Sequence, residues 1–358
     1  MKIDLIIGSL RSGGAERVVS TLANHFVDTG HEVRLITFKD GDKYHLDNRI
    51  IRKKFHKNLP IFNFALFRAL IYLFIFYWRK KNRPEIISAH IGLMGLPTIP
   101  IAKIYNLKII VSEHINHLST DLNLEKKILW NILYKYADAI TILTKFDLAF
   151  FKEKNNNVHI IHNPNSFIPA KFIKINKEKN ILAIGSLDRY QHKGFDNLLD
   201  IALEIKNVSP DWKFQIVGEG DVGRKFLEKK INKLKLNDTV FLLGYRSDVE
   251  ELLRNSSIFI LCSRFEGLPM ALMEAASQGT ACIAYDCISG PSDVIENGIS
   301  GILVKDQDKK EMIQQLKHLI NNKKFRKDLG VNSLSESAKF SIKKIGAQWE
   351  SLFKSLLE

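Results

Sequence analysis

The sequence predicts an α/β chain of two Rossmann-like domains facing one cleft. Two successive series of strand and helix signals predict it, separated by a Lys/Asn/Pro-rich stretch that runs from Asn163-Pro-Asn165 to Asn180. The first series opens as strand, Gly-Gly loop, helix and strand. A length of 358 residues suits two domains, and 45% hydrophobic with 26% charged residues supports full cores. The expected domains are 1–165 and 166–340. A helix over 341–358 is expected to pack back toward the first domain.

In chain order, residues 2–8 read as a buried strand, too short and too early for a signal peptide. A loop follows. Then Ala15, Val18, Val19, Leu22, Ala23 and Phe26 repeat at helical spacing up to Gly30. Residues 33–38 form the next strand. The first loop is not G-x-G-x-x-G and no acid closes the second strand, so a dinucleotide is disfavoured. Gly13-Gly14 instead lets the backbone approach a ligand closely. Further strands are expected at 86–89, 108–112, 139–143 and 158–161, with helices at 97–105, 124–136 and 145–152. The second series has strands at 181–185, 214–218, 240–244, 258–262, 281–285 and 301–304. Helices follow the strands, ending with 309–320 and 342–357.

The net charge of +14 is uneven. Residues 1–165 carry 24 Lys+Arg against 14 Asp+Glu, and the stretch from Arg49 to Arg83 has no acid at all. Between its basic flanks, residues 59–78 are apolar and aromatic-rich. About twenty such residues could span a bilayer. A spanning helix would, however, cut the sheet where a crossover helix is due. A helix buried on one side and lying on an anionic membrane surface on the other fits the basic flanks better, and a wholly buried helix is the remaining reading. Nucleic-acid binding would need stacking aromatics on a polar face, not an apolar block.

The stretch Glu266-Gly-Leu-Pro-Met-Ala-Leu-Met-Glu274 follows an apolar strand and opens a helix. Pro269 suits the first helical position, and no Ser, Thr, Asp or Asn caps the turn. A helix start with free N–H groups is an anion site, and here an acid stands on either side of it. That fits a nucleotide-sugar, and it equally fits an ordinary surface helix with an acid at each end.

Other motifs fall in order: Gly13-Gly-Ala-Glu-Arg17; Ser112-Glu-His114; Gly185-Ser-Leu187 with Lys193-Gly-Phe-Asp196; Val217-Gly-Glu-Gly220; Phe241-Leu-Leu-Gly-Tyr245; and Ser289-Gly-Pro-Ser292. With Glu266 and Glu274 they resemble the retaining, nucleotide-sugar-dependent glycosyltransferases of family 4, of GT-B fold. The resemblance covers almost the whole chain and is densest over 181–304. It implies that Glu266 contacts the donor sugar's hydroxyls near the reaction centre and that Glu274 holds the ribose diol. It implies that the backbone around Gly267, Leu268, Pro269, Met270 and Ala271 holds the distal phosphate, and that Lys193 neutralises the diphosphate. Fixed donors and a lysine stabilise a leaving diphosphate without a metal. Many members have Gly-Arg-Leu where this chain has Gly185-Ser-Leu187, so Arg189 either substitutes for the missing arginine or faces solvent. His114 matches a histidine near the transferring sugar, although a lone histidine after a strand can also be purely structural. Gly14 resembles a glycine that approaches the donor phosphate. Arg17 and Asn116 are acceptor-side candidates, and Gly218, Gly244 and Tyr245 resemble the nucleobase pocket.

No metal or other cofactor is expected. Asp40-Gly-Asp42 reads as a turn and Asp306-Gln-Asp308 as helix-capping chemistry. Cys262, Cys282 and Cys287 read as reduced thiols. The expected activity is α-retaining transfer of a hexosyl or N-acetylhexosaminyl group from a UDP-sugar to a lipid-linked or polysaccharide acceptor in bacterial glycan assembly. The expected location is cytoplasmic, peripheral on the inner face of the membrane, through Arg49–Arg83, with no nucleic-acid partner. The alternatives are an enzyme resembling a UDP-sugar 2-epimerase on the same fold and, in another class, a basic nucleic-acid-binding protein.

Overall fold

The structure, a computed structural model, describes residues 1–11, 13–56, 65–119, 122–174 and 176–358. These form two compact units, residues 1–166 with 340–358, and residues 167–339.

Among the described residues the first unit holds a parallel sheet of seven strands: β1 (Lys2–Ile7), β2 (Glu32–Thr37), β3 (Ile51–Lys54), β4 (Ile86–His90), β5 (Lys108–Ser112), β6 (Ala139–Ile142) and β7 (Val158–Ile160). Their order is β3-β2-β1-β4-β5-β6-β7. The second unit has β8 (Glu178–Ile184), β9 (Lys213–Val217), β10 (Val240–Gly244), β11 (Ser256–Leu261), β12 (Ala281–Asp286) and β13 (Ile302–Lys305), ordered β10-β9-β8-β11-β12-β13. The central strands are continuous apolar runs because helices cover both faces of a parallel sheet. In register, Leu5 lies between Leu35 and Ser88, and Ile181 between Phe214 and Ile258. Strand order reverses between β1 and β4 and again between β8 and β11. Loops leaving the carboxyl ends of those strands diverge, which opens a crevice at each switch point.

The strand β3, Ile51-Arg-Lys-Lys54, was not foreseen. It is an edge strand, so it needs only one partner, and its basic side chains find one acid: Asp42 pairs with both Arg52 and Lys54. The expected helix at 124–136 divides into an α-helix Leu124–Ile128, a π-helical turn Leu129–Leu133 and a 3-10 turn Tyr134–Tyr136. The helix Lys323–Ser337 was also missed, its apolar residues being sparse.

Within the basic, aromatic segment, residues 59–64 lie outside the described residues. The helix Ala65–Trp78 is the crossover from β3 to β4. Tyr77 donates to Asp4 Oδ2 at 2.6 Å, and Arg34 holds both Asp4 oxygens at 2.7 Å. Burial pushes the Asp4 carboxyl up despite Arg34 and Tyr77. This buried polar knot, with Leu73 fully enclosed, fixes one face of the helix on the sheet. The other face leaves Phe67, Phe74, Ile75 and Trp78 exposed. Among the described residues no helix is long and apolar enough to cross a membrane.

The helix Ile342–Leu357 belongs to the first unit. Phe353 packs on Phe26 with ring centroids 5.2 Å apart, and Thr29 donates to Glu350 at 2.6 Å.

Candidate active site

In the second unit, the loop after β8 and the loop after β11 lie at the switch point. They are joined by Arg264, which sequence reasoning missed. Its guanidinium grips both Asp196 carboxylate oxygens at 2.8 Å and donates to the Gln191 carbonyl. Its backbone N–H donates to the His192 carbonyl at 2.8 Å. A bidentate pair fixes orientation as well as distance. Between these anchors Gly194 has φ +67°, and a Cβ there would lie 1.9 Å from the Cys262 carbonyl oxygen, so only glycine allows the approach. The result is that Lys193 Nζ meets Glu266 Oε1 at 2.7 Å, although the two residues are 73 apart in sequence. Burial alone would raise the Glu266 carboxyl. The Lys193 ammonium and its neighbours together outweigh it and hold the group below the usual glutamate value.

The helix Met270–Ser277 begins beside this pair. Pro269 is its N-cap, with φ −72° and ψ 99°, not its first helical residue as expected. The difference follows from packing: Gly290, at φ +102°, presses so closely that a Cβ would sit 2.7 Å from the Pro269 ring. Ser289 donates to the Gly267 carbonyl at 3.1 Å and ties down the same turn. No side chain caps the helix, and the Pro269 carbonyl accepts from Leu272 and Met273. The N–H groups of Met270 and Ala271 precede those bonds. Leu268 is 5% exposed and Glu274, in the second turn, 3%.

The neighbouring loops carry the remaining second-unit candidates. Gly218 donates to the Gly244 carbonyl at 3.0 Å, beside the exposed Tyr245. Ser186 is exposed. Arg189, in a 3-10 turn, lies against the His192 ring at 3.1 Å. Burial, then Arg189 and Lys193, push His192 down to about 4. Asp308 caps its helix by accepting from the Glu311 N–H at 3.0 Å, and burial pushes the Cys282 and Cys287 thiols up to about 12.

In the first unit the loop after β1, at the switch point, carries Gly14, and the loop after β5 carries His114. Gly13 and Tyr44 are clamped reciprocally, with the Gly13 N–H donating to Tyr44 Oη and the Tyr44 hydroxyl donating to the Gly13 carbonyl, both at 2.8 Å. Gly14 starts the helix Gly14–Asp28, and Arg17 stacks over the Tyr44 ring at 5.6 Å. Glu113 turns inward. Its buried carboxylate accepts from Trp130 Nε1 at 3.0 Å and from the Tyr134 hydroxyl, and burial pushes it up despite both donors. Trp130 and Tyr134, four residues apart, lie on one helical face under the carboxylate. Glu113 thereby anchors the loop that presents His114. Asn116 is 1% exposed, and its Oδ1 accepts from the Leu118 N–H at 3.1 Å, so it shapes the same loop. His117 pairs with the buried Asp147 at 2.7 Å and stacks on Phe150.

His114 Nε2 lies 3.1 Å from Nδ1 of His90, and His90 Nε2 lies 3.0 Å from the Ser88 hydroxyl. Sequence reasoning missed His90, whose only signal was its place at the end of an apolar strand.

Two family models match the chain, one in each half. A family described as "Glycosyltransferase Family 4" matches residues 12–164, and one described as "Glycosyl transferases group 1" matches 165–335. A Campylobacter jejuni alpha-1,4-N-acetyl-D-galactosaminyltransferase, named for an undecaprenol-diphosphate-linked acceptor, is 30% identical over 98% of this chain and 97% of its own length. The chain belongs to glycosyltransferase family 4. The transferase is also 29% identical to the Erwinia amylovora amylovoran biosynthesis glycosyltransferase AmsD, over 97% of this chain and 98% of that protein. A mutant of S. aureus TarM, crystallised with UDP, shares the GT-B fold, with a TM-score of 0.82 at 16% identity, covering 99% of this chain and 100% of that one.

The histidines of the transferase predict a pH response. Burial pushes His114 down to about 4 from an ordinary 6.5. The unfolded chain therefore binds that proton more readily than the folded one. The stability contribution is complete above pH 6.5 and is lost as pH falls toward 4, by at most about 3 kcal/mol. Urea midpoints at pH 7 and 4.5 check this. The His114→Gln variant should show a smaller drop than the wild type.

Proposed function

We propose that this transferase moves a hexosyl or N-acetylhexosaminyl group from a UDP-sugar, with retention at the anomeric carbon, to a lipid-linked saccharide in bacterial glycan assembly. The observation that carries the reading is the Lys193–Glu266 pair at the uncapped start of Met270–Ser277, with Glu274 buried one turn further on. In the reading, the diphosphate takes Lys193 and the N–H groups of Met270 and Ala271. Glu266, released from Lys193, accepts from sugar hydroxyls, and Glu274 accepts from the ribose diol. Negative charge growing on the leaving diphosphate is met by fixed donors, without a metal. Gly218, Gly244 and Tyr245 are assigned the base, and Arg189 the second cation in place of the arginine absent at Ser186. Gly14 is assigned to the donor phosphate, and His114, Arg17 and Asn116 to sugar and acceptor. The lipid-linked acceptor of the Campylobacter relative and the UDP in the TarM structure support the substrate classes.

Thermal unfolding with a panel of UDP- and GDP-sugars tests the donor. A ligand that binds only the folded state at 100 times its Kd adds about 2.7 kcal/mol of stability. Protection by a UDP-sugar is expected. Protection by GDP-sugars alone would overturn the donor assignment.

The enzyme is further proposed to work on the cytoplasmic membrane face. Exposed Phe67, Phe74, Ile75 and Trp78 adjoin the exposed Arg79, Lys80 and Lys81 on one helix and its end. Basic residues near an anionic surface contribute about 1 kcal/mol each. Replacing Arg79, Lys80 and Lys81 together by Ser should weaken binding to anionic vesicles about 100-fold. Equal partitioning in a flotation assay would rule out the electrostatic part.

A further inference from the structure

His114 is held from one side only. Its Nε2 faces His90, while its Nδ1 is buried with no hydrogen-bond partner among the described residues. His90 is fully enclosed at the end of β4, against Trp349. Ser88, two residues earlier and also fully enclosed, makes its printed side-chain contact with His90 alone.

We propose that Ser88 and His90 are positioning residues that fix the His114 ring in place and in the tautomer with the proton on Nδ1, so that it meets the bound saccharide with no basic nitrogen free. The polarity follows from counting protons along the chain. The Ser88 hydroxyl has one proton, and the acceptor available to it among the described residues is His90 Nε2. A ring accepting at Nε2 carries its proton on Nδ1, which then donates to His114 Nε2. His114, accepting at Nε2, in turn carries its proton on Nδ1, the atom without a partner. The opposite polarity would leave two buried groups unmatched among the described residues, the Ser88 proton and the His114 Nδ1 lone pair, against the Nδ1 proton alone in the stated one, and each such group costs about 1–3 kcal/mol. Burial depresses both histidines and keeps them neutral, so one tautomer can persist near pH 7.

The consequence is chemical. In this tautomer Nε2 spends its lone pair on His90 and Nδ1 holds a proton. His114 then has no site with which to deprotonate an acceptor hydroxyl. It packs against the saccharide, and the acceptor proton must leave to another base. This rests on the proposed contact of His114 with the saccharide.

The experiment is nitrogen-15 NMR of the histidine rings of the full chain at pH 7.5, with His114→Gln identifying the His114 signals. The expected result is a neutral His114 ring protonated at Nδ1. A ring protonated at Nε2 overturns the proposal. In Ser88→Ala the His114 tautomer should shift toward a mixture. UDP release, measured with UDP-N-acetylgalactosamine, UDP-N-acetylglucosamine, UDP-glucose and UDP-galactose each supplied, should fall about tenfold in kcat/KM. Ser88→Thr keeps the hydroxyl and should restore both. If Ser88→Ala matches the wild type in tautomer and turnover, the positioning role is wrong. If His114→Gln turns over like the wild type while the tautomer is as stated, the saccharide contact itself fails.

Discussion

Replacing Lys193 by Met should lower kcat by about 10²–10³-fold, the loss typical of one preorganised donor aimed at transition-state charge. In the proposed reading the ammonium meets the leaving diphosphate as it gains charge, so the loss should fall on kcat more than on KM. The structure adds a second effect. Lys193 is the cation that holds Glu266 ionised, 2.7 Å away and with the carboxylate side chain 9% exposed. Without it Glu266 is a buried acid that has lost its cation, and the fold should lose about 3 kcal/mol. Adding Glu266→Gln to Lys193→Met removes that stranded charge. The double variant should therefore recover stability in urea unfolding while remaining inactive. A single variant with wild-type kcat would sink the assignment of Lys193 to the diphosphate.

Glu274→Ala should raise KM for the donor by about 100-fold with a much smaller change in kcat. Two hydrogen bonds from a ribose diol to a carboxylate are worth about 1.5–3 kcal/mol each. The ribose is remote from the bond that breaks, so its binding is common to ground and transition states. Glu274 is 3% exposed, and truncation also leaves a cavity, so Glu274→Gln serves as the isosteric control. It keeps the volume and loses the charge. Calorimetric titration with UDP should show the same weakening as KM. An unchanged KM would remove the ribose role.

The two variants bracket what could be read from the residues in advance. Glu266 and Glu274 were legible because their spacing, the proline and the missing cap are all local. Lys193 was legible through the order of motifs. That Lys193 pairs with Glu266 was not, because the pairing depends on Arg264 gripping Asp196 across two loops. Nor were His90 and Ser88 legible as partners of His114. Adjacent parallel strands bring them together, and nothing in Ile86-Ile-Ser-Ala-His90 distinguishes them from a buried strand. Glu113 stood out in sequence as part of Ser112-Glu-His114, and its bonds to Trp130 and Tyr134 make it an anchor.

By itself the sequence determined the two Rossmann-like series and the amphipathic, basic character of the segment around 65–83, and it singled out the candidate stretch from Glu266 to Glu274. These are written in periodicity, glycine and proline placement and local charge, which act over a few residues. The tertiary structure decided what each polar group is paired with. It set Asp4 against Arg34 and Tyr77, Lys193 against Glu266, and His114 against His90. A buried charge or ring has its state fixed by neighbours that strand order brings close, and strand order is a property of the folded sheet.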